Sequence, residues 1–429
     1  MTPSERKGER MPLSAETDTT TPRHLRDKYA IVGVGETKYS RGSGLTTRAL
    51  ATWAIRNAME DAGLRPGDVD GLLSYQYGSD STPSTFVAGD LGIRPNFFMD
   101  VHGGGSTTEA LIGMAMGVIE AGMCRTVAIY RAFNGYSQVR IGGTGVRAAI
   151  PVVGDALHGR PYGWESPGQW FAPSFMRHMH DYGTTPEQVA MVKVIHSEHA
   201  SNNPKALYPK RVTVEDVLSS RMICTPLHLL DCCVETDSGT CIIVTRADRA
   251  RDCRHVPALI RATVGRCCKP RIDMHYQAGP ISTVAAKYAR EILWPNADVG
   301  PEEIDVTGSY DAFTFTTLMQ LEDYGFCAKG EGGAYVSDGT MRLSGKRPNN
   351  TSGGHLCEGY THGINMVIEN VRQLRHDADD SCPVGADGKR IHTHDYREGG
   401  CRQVRDVELT ANLGWANPGT GSALVMRRG

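Results

Sequence analysis

From Tyr29 onward the chain alternates short apolar runs with segments of helical period. Tyr29-Ala-Ile-Val-Gly-Val-Gly is a continuous apolar run of strand length. Thr47 to Ala62 places apolar residues at helical spacing, and Gly63 reads as the C-terminal cap of that helix. Asp68-Val-Asp-Gly-Leu-Leu-Ser opens a second unit. Residues 99–122 then combine Met99-Asp-Val-His, a Gly103-Gly104-Gly105 turn and an apolar helix ending at Gly122, and Thr126-Val-Ala-Ile-Tyr follows as a strand. Strand-helix-strand alternation predicts a parallel sheet covered by helices.

The period weakens between about 137 and 230, where Pro, Gly, Trp164 and Trp170 accumulate. Helices are predicted near Ser174–Tyr182 and Pro186–Asn202, in an inserted cap over the core. Thr236-Asp-Ser-Gly-Thr-Cys-Ile-Ile-Val-Thr returns to strand character. Near His255 the pattern restarts, with a strand at Ala258-Leu-Ile-Arg-Ala-Thr-Val, a helix at Val284–Leu293, a strand from Ile304 and a helix at Phe313–Tyr324. This restart predicts two duplicated halves, 28–254 and 255–429, although no obvious sequence repeat accompanies it. Val404–Leu413 and Gly421-Ser-Ala-Leu-Val-Met-Arg close the chain as strands. Polar residues 376–400 read as a surface insertion, and residues 1–27 as a disordered tail.

Composition narrows the function. A net charge of −2 without a basic stripe argues against a nucleic-acid partner. No apolar run approaches the roughly 18 residues that span a bilayer, and the first 27 residues lack the apolar core of a secretory signal. The 12 cysteines include no CxxC pair and read as reduced core thiols of a cytoplasmic protein, with no metal site. His392, His394 and Asp395 belong to the solvated insertion. Gly103-Gly104-Gly105 lacks the lysine of a phosphate-binding loop.

Several motifs together resemble the thiolase superfamily, nearer to its sterol-carrier-protein-type, lipid-transfer-protein branch. They are Ile31-Val-Gly-Val-Gly-Glu-Thr, Ile119-Glu-Ala-Gly, Thr225-Pro-Leu-His-Leu-Leu-Asp, Ser309-Tyr-Asp-Ala-Phe-Thr, and Asn350-Thr-Ser-Gly-Gly-His-Leu-Cys-Glu-Gly-Tyr-Thr-His-Gly. The resemblance covers nearly the whole chain from Tyr29. It implies a five-layered α/β/α/β/α thiolase fold with two duplicated halves, a homodimer core, and coenzyme A entering as part of the substrate with no covalently bound cofactor.

The departures from that family are chemical. Its nucleophilic cysteine sits at the helix N-terminus after the glycine turn, where this chain has about Gly104, and the first cysteine anywhere is Cys124. The late catalytic cysteine is missing near Asn412. The two catalytic histidine positions carry Tyr310 and Tyr360, 50 positions apart (360 − 310). That tyrosine pair resembles the thiolase-like aldolases of steroid side-chain breakdown. These split a 17-hydroxy three-carbon acyl-CoA into a 17-ketosteroid and propionyl-CoA, alongside a zinc-ribbon/OB-fold (DUF35-type) domain of an enoyl-CoA hydratase.

The resemblance assigns Tyr310 and Tyr360 as an acid–base pair. A retro-aldol cleavage needs a base for the β-hydroxyl, stabilisation of the thioester enolate and an acid for the α-carbon, and no acyl-enzyme. Asp311, next in the chain, favours Tyr310 as the base and Tyr360 as the proton donor, without settling the order. His102, Gly104, Asp311, His355 and His362 are further candidates for the pocket or the oxyanion site, and Gly353 and Gly354 for close backbone approach to the thioester. Two rival readings are a non-catalytic scaffold or lipid-binding partner of a hydratase, and a condensing enzyme using another thiol, with Cys357 the first suspect.

Overall fold

The computed structural model describes residues 25–138, 156–164, 166–269, 279–378, 402–415 and 419–429. The tail before residue 25, most of the 376–400 insertion and the His392, His394 and Asp395 cluster lie outside them. Leu25 to Asp27, expected in the tail, are held: Asp27 N donates to Ile260 O, and its carboxylate pairs with Arg261 and Arg427.

Among the described residues nine strands join in one ladder. They are β1 (Tyr29–Glu36), β2 (Gly71–Gln76), β3 (Phe97–His102), β4 (Thr126–Asn134), β5 (Asp237–Arg246), β6 (Ala258–Cys268), β7 (Val306–Ser309), β8 (Leu409–Trp415) and β9 (Thr420–Arg428). The spatial order is β3-β2-β4-β5-β1-β6-β9-β8-β7. The restart in the sequence is visible in this ladder. β2 pairs in parallel with β4, then β5 and β1 follow antiparallel; β7 pairs in parallel with β8, then β9 and β6 follow antiparallel. In place of a second β3, a single parallel bridge joins Thr307 to Asn349. The halves meet where Ala30 and Ile31 of β1 pair with Leu259 and Ala258 of β6.

The helices repeat with the strands. In the first half α1 (Thr47–Ala62), α2 (Ser84–Leu91) and α3 (Thr108–Glu120) follow β1, β2 and β3. After α4 (Pro167–Tyr182) and α5 (Pro186–Ala200), the second half carries α6 (Ala286–Ala297), α7 (Thr314–Tyr324), α8 (Gly354–Cys357) and α9 (Ile364–Arg375). Local chemistry sets the boundaries. Thr46 accepts from Ala49 N and Gly63 closes α1 in the left-handed region, at φ 73. Thr185 and Gln188 form a reciprocal cap at the start of α5.

Alternate strand residues face opposite ways, so each sheet half feeds two apolar layers. Ala30, Val32, Ala128 and Ile243 pack on α1 and α2. Tyr29, Ile31, Ile129 and Val244 face a central layer of α3 and α9, which Ile260, Val306 and Leu424 close from the other half. Ala262, Ala411, Leu413 and Val425 face α6, α7 and the segment with Phe171, Phe175 and Ile195. The result is five layers, with α3 and α9 side by side in the middle.

The first cap helix is longer than expected, and the second starts at Pro186 as expected. α4 begins at Pro167 rather than near Ser174, and its Phe171 and Phe175 pack on Phe313, Phe315 and Trp415. α5 lies against α7 and α8. The insertion thus sits in the first half of the sequence and covers the second half of the fold. Among the described residues no helix is long and apolar enough to cross a membrane.

Candidate active site

Tyr310 leaves the end of β7 with its backbone fixed on every side. Its N–H donates to Leu413 O of β8 at 2.9 Å, and its carbonyl accepts from Gln320 Nε2 (2.8 Å) and Thr316 Oγ1 (2.9 Å) of α7. Tyr360 stands in the loop between α8 and α9, where its N–H donates to Thr236 Oγ1 at 3.1 Å. These two loops bring the phenol oxygens to 2.6 Å from each other. Both rings are buried, Tyr310 to 4% and Tyr360 to 9% exposure.

Burial pushes both phenols well above their ordinary pKa, so both are protonated at rest. The two differ in their next influences. The neighbouring Tyr360 raises Tyr310 further; Cys233 raises Tyr360 further, while the Tyr310 hydrogen bond and the charge of Arg131 partly offset this at Tyr360.

His355 stands edge-on to both tyrosines, with ring centroids at 4.8 and 4.9 Å, and His362 edge-on to Tyr360 at 4.9 Å. His355 Nε2 meets Asn365 Oδ1 at 3.1 Å. Burial lowers its pKa to about 4, and His362 lies well below the usual range through burial and the nearby Arg131 charge. Both imidazoles are therefore neutral beside the phenols.

Asp311 does not turn toward the phenols. Its Oδ2 meets His196 Nδ1 of α5 at 2.9 Å, and its carboxylate accepts from the backbone N–H groups of His355 (2.8 Å) and Leu356 (3.3 Å). These bonds, with His196, hold it below the usual carboxylate range despite full burial. It is the staple of the Tyr360 loop. Gly354, at φ 58, has room for no Cβ between Asp311 and Asn350, and Gly353, at φ 103, packs on Ala200. Gly353 thus serves the close approach of the loop to α5, and Gly354 its approach to Asp311.

The three-glycine turn contributes through its third member. A Cβ on Gly105 would fall inside the Tyr310 ring and against Trp415 O. Gly104 is half-buried at the turn, its carbonyl accepting from Thr107 N. His102 is exposed and lies on Tyr77 (centroids 5.3 Å), and no hydrogen bond or ring contact joins it to the tyrosine pair. Asn412 is buried against Asn370 in the central layer.

Among the described residues no thiol takes the nucleophile's place. Cys357 is 1% exposed and burial raises its pKa, as it does strongly for Cys233, which lies near the pair. No resolved shift among the described cysteines is downward, so none of those thiols is held as a thiolate. Among the described residues no group of three His, Cys, Asp or Glu is placed to hold a metal ion.

Two supporting residues escape the sequence pattern. His196 reads as one more polar residue of a cap helix. Arg131 does carry a signal, since an arginine within Ala-Ile-Tyr-Arg-Ala-Phe interrupts a strand that is otherwise entirely buried.

Known proteins match this architecture. A family model described as thiolase C-terminal domain-like matches residues 272–388. The chain is 38% identical over 357 residues to the 17-hydroxy-3-oxo-4-pregnene-20-carboxyl-CoA lyase of Mycobacterium tuberculosis, covering 82% of this chain and 92% of that protein. It is 38% identical over 353 residues to the steroid side-chain-cleaving aldolase of Thermomonospora curvata, covering 81% and 90%. The solved Ltp2-ChsH2(DUF35) aldolase superposes with a TM-score of 0.82 at 33% identity, over 94% of this chain and 98% of that one. Human mitochondrial 3-ketoacyl-CoA thiolase, at 11% identity and a TM-score of 0.63, shares the fold. The chain belongs to the thiolase superfamily, to its sterol-carrier-protein-like branch beside the steroid side-chain-cleaving acyl-CoA aldolases, and is a carbon–carbon lyase of the aldolase type.

Proposed function

We propose that this chain cleaves a steroid 17-hydroxy three-carbon acyl-CoA into a 17-ketosteroid and propionyl-CoA, with Tyr310 and Tyr360 as the acid–base pair. The observation that carries the reading is the 2.6 Å contact between two buried, protonated phenols in a site without a nucleophilic thiol. As the bond between the α-carbon and C17 breaks, its electron pair moves onto the α-carbon and thioester as an enolate, and the C17 oxygen becomes a ketone. The hydroxyl proton passes to Tyr360, the proton of Tyr360 passes to Tyr310, and the proton of Tyr310 goes to the α-carbon. Each tyrosine ends as it began, so no free phenolate is required, in keeping with the raised pKa of both. Arg131 favours transient negative charge on Tyr360, which orders the pair opposite to the sense suggested by Asp311.

Coenzyme A enters as part of the substrate. The backbone around Gly103 to Gly105 and Gly353–Gly354 is our assignment for approach to the thioester. β3 is the edge of the ladder and exposes Phe98 and Met99, which supports pairing with a second copy in a homodimer. The relative solved as an Ltp2-ChsH2(DUF35) aldolase supports a zinc-ribbon/OB-fold domain of an enoyl-CoA hydratase as a further partner. The free state of the described cysteines supports a cytoplasmic location.

The test is product analysis by mass spectrometry of the chain co-expressed with such a partner domain and given the 17-hydroxy acyl-CoA. Ketone and propionyl-CoA should appear together. Tyr310→Phe and Tyr360→Phe should each lower kcat by about 10²–10⁴-fold while the thermal transition stays in place. Tight binding without cleavage by the unmodified chain would show a scaffold instead.

A further inference from the structure

Arg131 is fully buried in β4, and each of its three side-chain nitrogens is engaged. Nη2 ion-pairs with Asp80, Nη1 donates to Ala132 O at 3.3 Å, and Nε donates to Nδ1 of His362 at 3.0 Å. The guanidinium lies 4.3 Å from the Phe133 ring centroid and 5.5 Å from that of Tyr75. Asp80 is itself held by Tyr77 N at 3.0 Å. A side chain fixed from so many directions has one way to meet His362.

Arginine offers donors and no acceptor, so the nitrogen it meets must present a lone pair. Nδ1 of His362 is therefore unprotonated and the ring proton resides on Nε2. Phe133 stacks on the His362 ring at 5.2 Å and 10°, and Tyr360 flanks it. Nε2 meets no acceptor among the described residues, and it is not among the sealed polar atoms, whereas Nδ1 of His355 is. The backbone of His362 sits at φ 59, a conformation costly for a residue with a side chain. Hydrogen bonds to its carbonyl from Tyr75 Oη (2.8 Å) and Thr108 Oγ1 (3.3 Å) hold it there.

We propose that His362 is a catalytic residue whose Nε2–H donates to the thioester oxygen as the enolate forms, and that Arg131 is the positioning residue that fixes it in that tautomer. The inference rests on the retro-aldol reading above, which requires an oxyanion donor beside the tyrosines. A neutral imidazole backed by a fixed positive charge stabilises negative charge on the oxygen without surrendering its proton.

The two histidine variants leave the Arg131–Asp80 pair intact. His362→Leu removes the donor and His362→Gln restores an N–H near the Nε2 position. In the complex with its partner domain, His362→Leu should lower kcat by about 10²-fold with KM within about threefold of the parent, and His362→Gln should recover at least about tenfold of that loss. Arg131→Lys should lower kcat in the parent and cost nothing further in the His362→Leu background, a non-additivity that general destabilisation does not produce. A readout without turnover is the ¹⁵N spectrum of His362, whose Nδ1 should stay unprotonated in the parent over the whole pH range in which the fold survives. If the parent releases no ketone, the retro-aldol reading itself fails. If the parent cleaves while His362→Leu keeps its kcat, or if His362→Gln is as impaired as His362→Leu, this inference alone is overturned.

Discussion

In the proposed reaction two tyrosines and one glycine carry the change of chemistry. With a thiol absent at the glycine turn, the Tyr310 phenol occupies the space into which a side chain at 105 would project. A side chain at 105 and the Tyr310 ring in this place therefore exclude each other. Gly105→Ala should push Tyr310 out of reach of Tyr360, lowering kcat by about 10²-fold and stability by about 1–3 kcal/mol. A crystal structure of the variant would show the displaced ring, and an unchanged kcat would contradict the steric coupling. The tyrosines were legible in the sequence because they stand in two otherwise well-matched motifs. Three glycines in a row give no sign in sequence of which one faces the Tyr310 ring; the structure shows that it is Gly105. Arg131 and His196 act through partners 231 and 115 positions away; the arginine is conspicuous within its apolar strand, but no local pattern names the partner of either.

Elements with a clean apolar period were read within a few residues of their observed bounds, as in α1 and β5. α9 went unread. Its sequence Ile-Asn-Met-Val-Ile-Glu-Asn-Val-Arg-Gln-Leu-Arg is half polar, yet all but Arg372 of its residues are classed as buried. Its polar side chains find partners: Arg372 pairs with Glu36, Arg375 with Asp61, Glu369 with Arg402, and Asn370 with Asn412. Hydropathy measures affinity for water and not the supply of internal partners, so a buried ion-paired helix resembles surface. α5 teaches a similar lesson, since a helix read as cap supplies the imidazole that hydrogen-bonds Asp311. Replacing His196 with Ala leaves that carboxylate buried and short of a partner. The expected cost is about 3–5 kcal/mol, measurable by urea denaturation, and Asp311→Asn in the same chain should return part of it. If the double variant is no more stable than His196→Ala, Asp311 does not depend on the α5 imidazole.

At the scale of the whole molecule, the two halves are stitched through the buried first turn of α3. Glu109 is 1% exposed; its carboxylate accepts from Ser422 Oγ of β9 at 2.7 Å and its carbonyl from Thr263 Oγ1 of β6 at 2.8 Å. One residue of the first half thus binds two strands of the second, directly beneath the Gly105 turn. Burial raises the Glu109 pKa from near 4.5 to about 7, only partly offset by the Ser422 bond. The folded state therefore keeps a proton that the unfolded chain releases near pH 4.5. Between those two values the unfolded chain binds fewer protons, so this group lowers stability as pH rises, and its effect levels off above about 7. At about 1.4 kcal/mol per pH unit, that interval of roughly 2.5 units corresponds to about 3 kcal/mol. Glu109→Gln keeps an acceptor for Ser422 and cannot ionise. Its stability relative to the parent should rise from about pH 5 to about pH 8, by up to that amount. Parallel denaturation curves for the two proteins at both pH values would contradict the assignment. Agreement would mean that the joint between the halves, and with it the floor of the catalytic turn, is held more firmly in acid than in base.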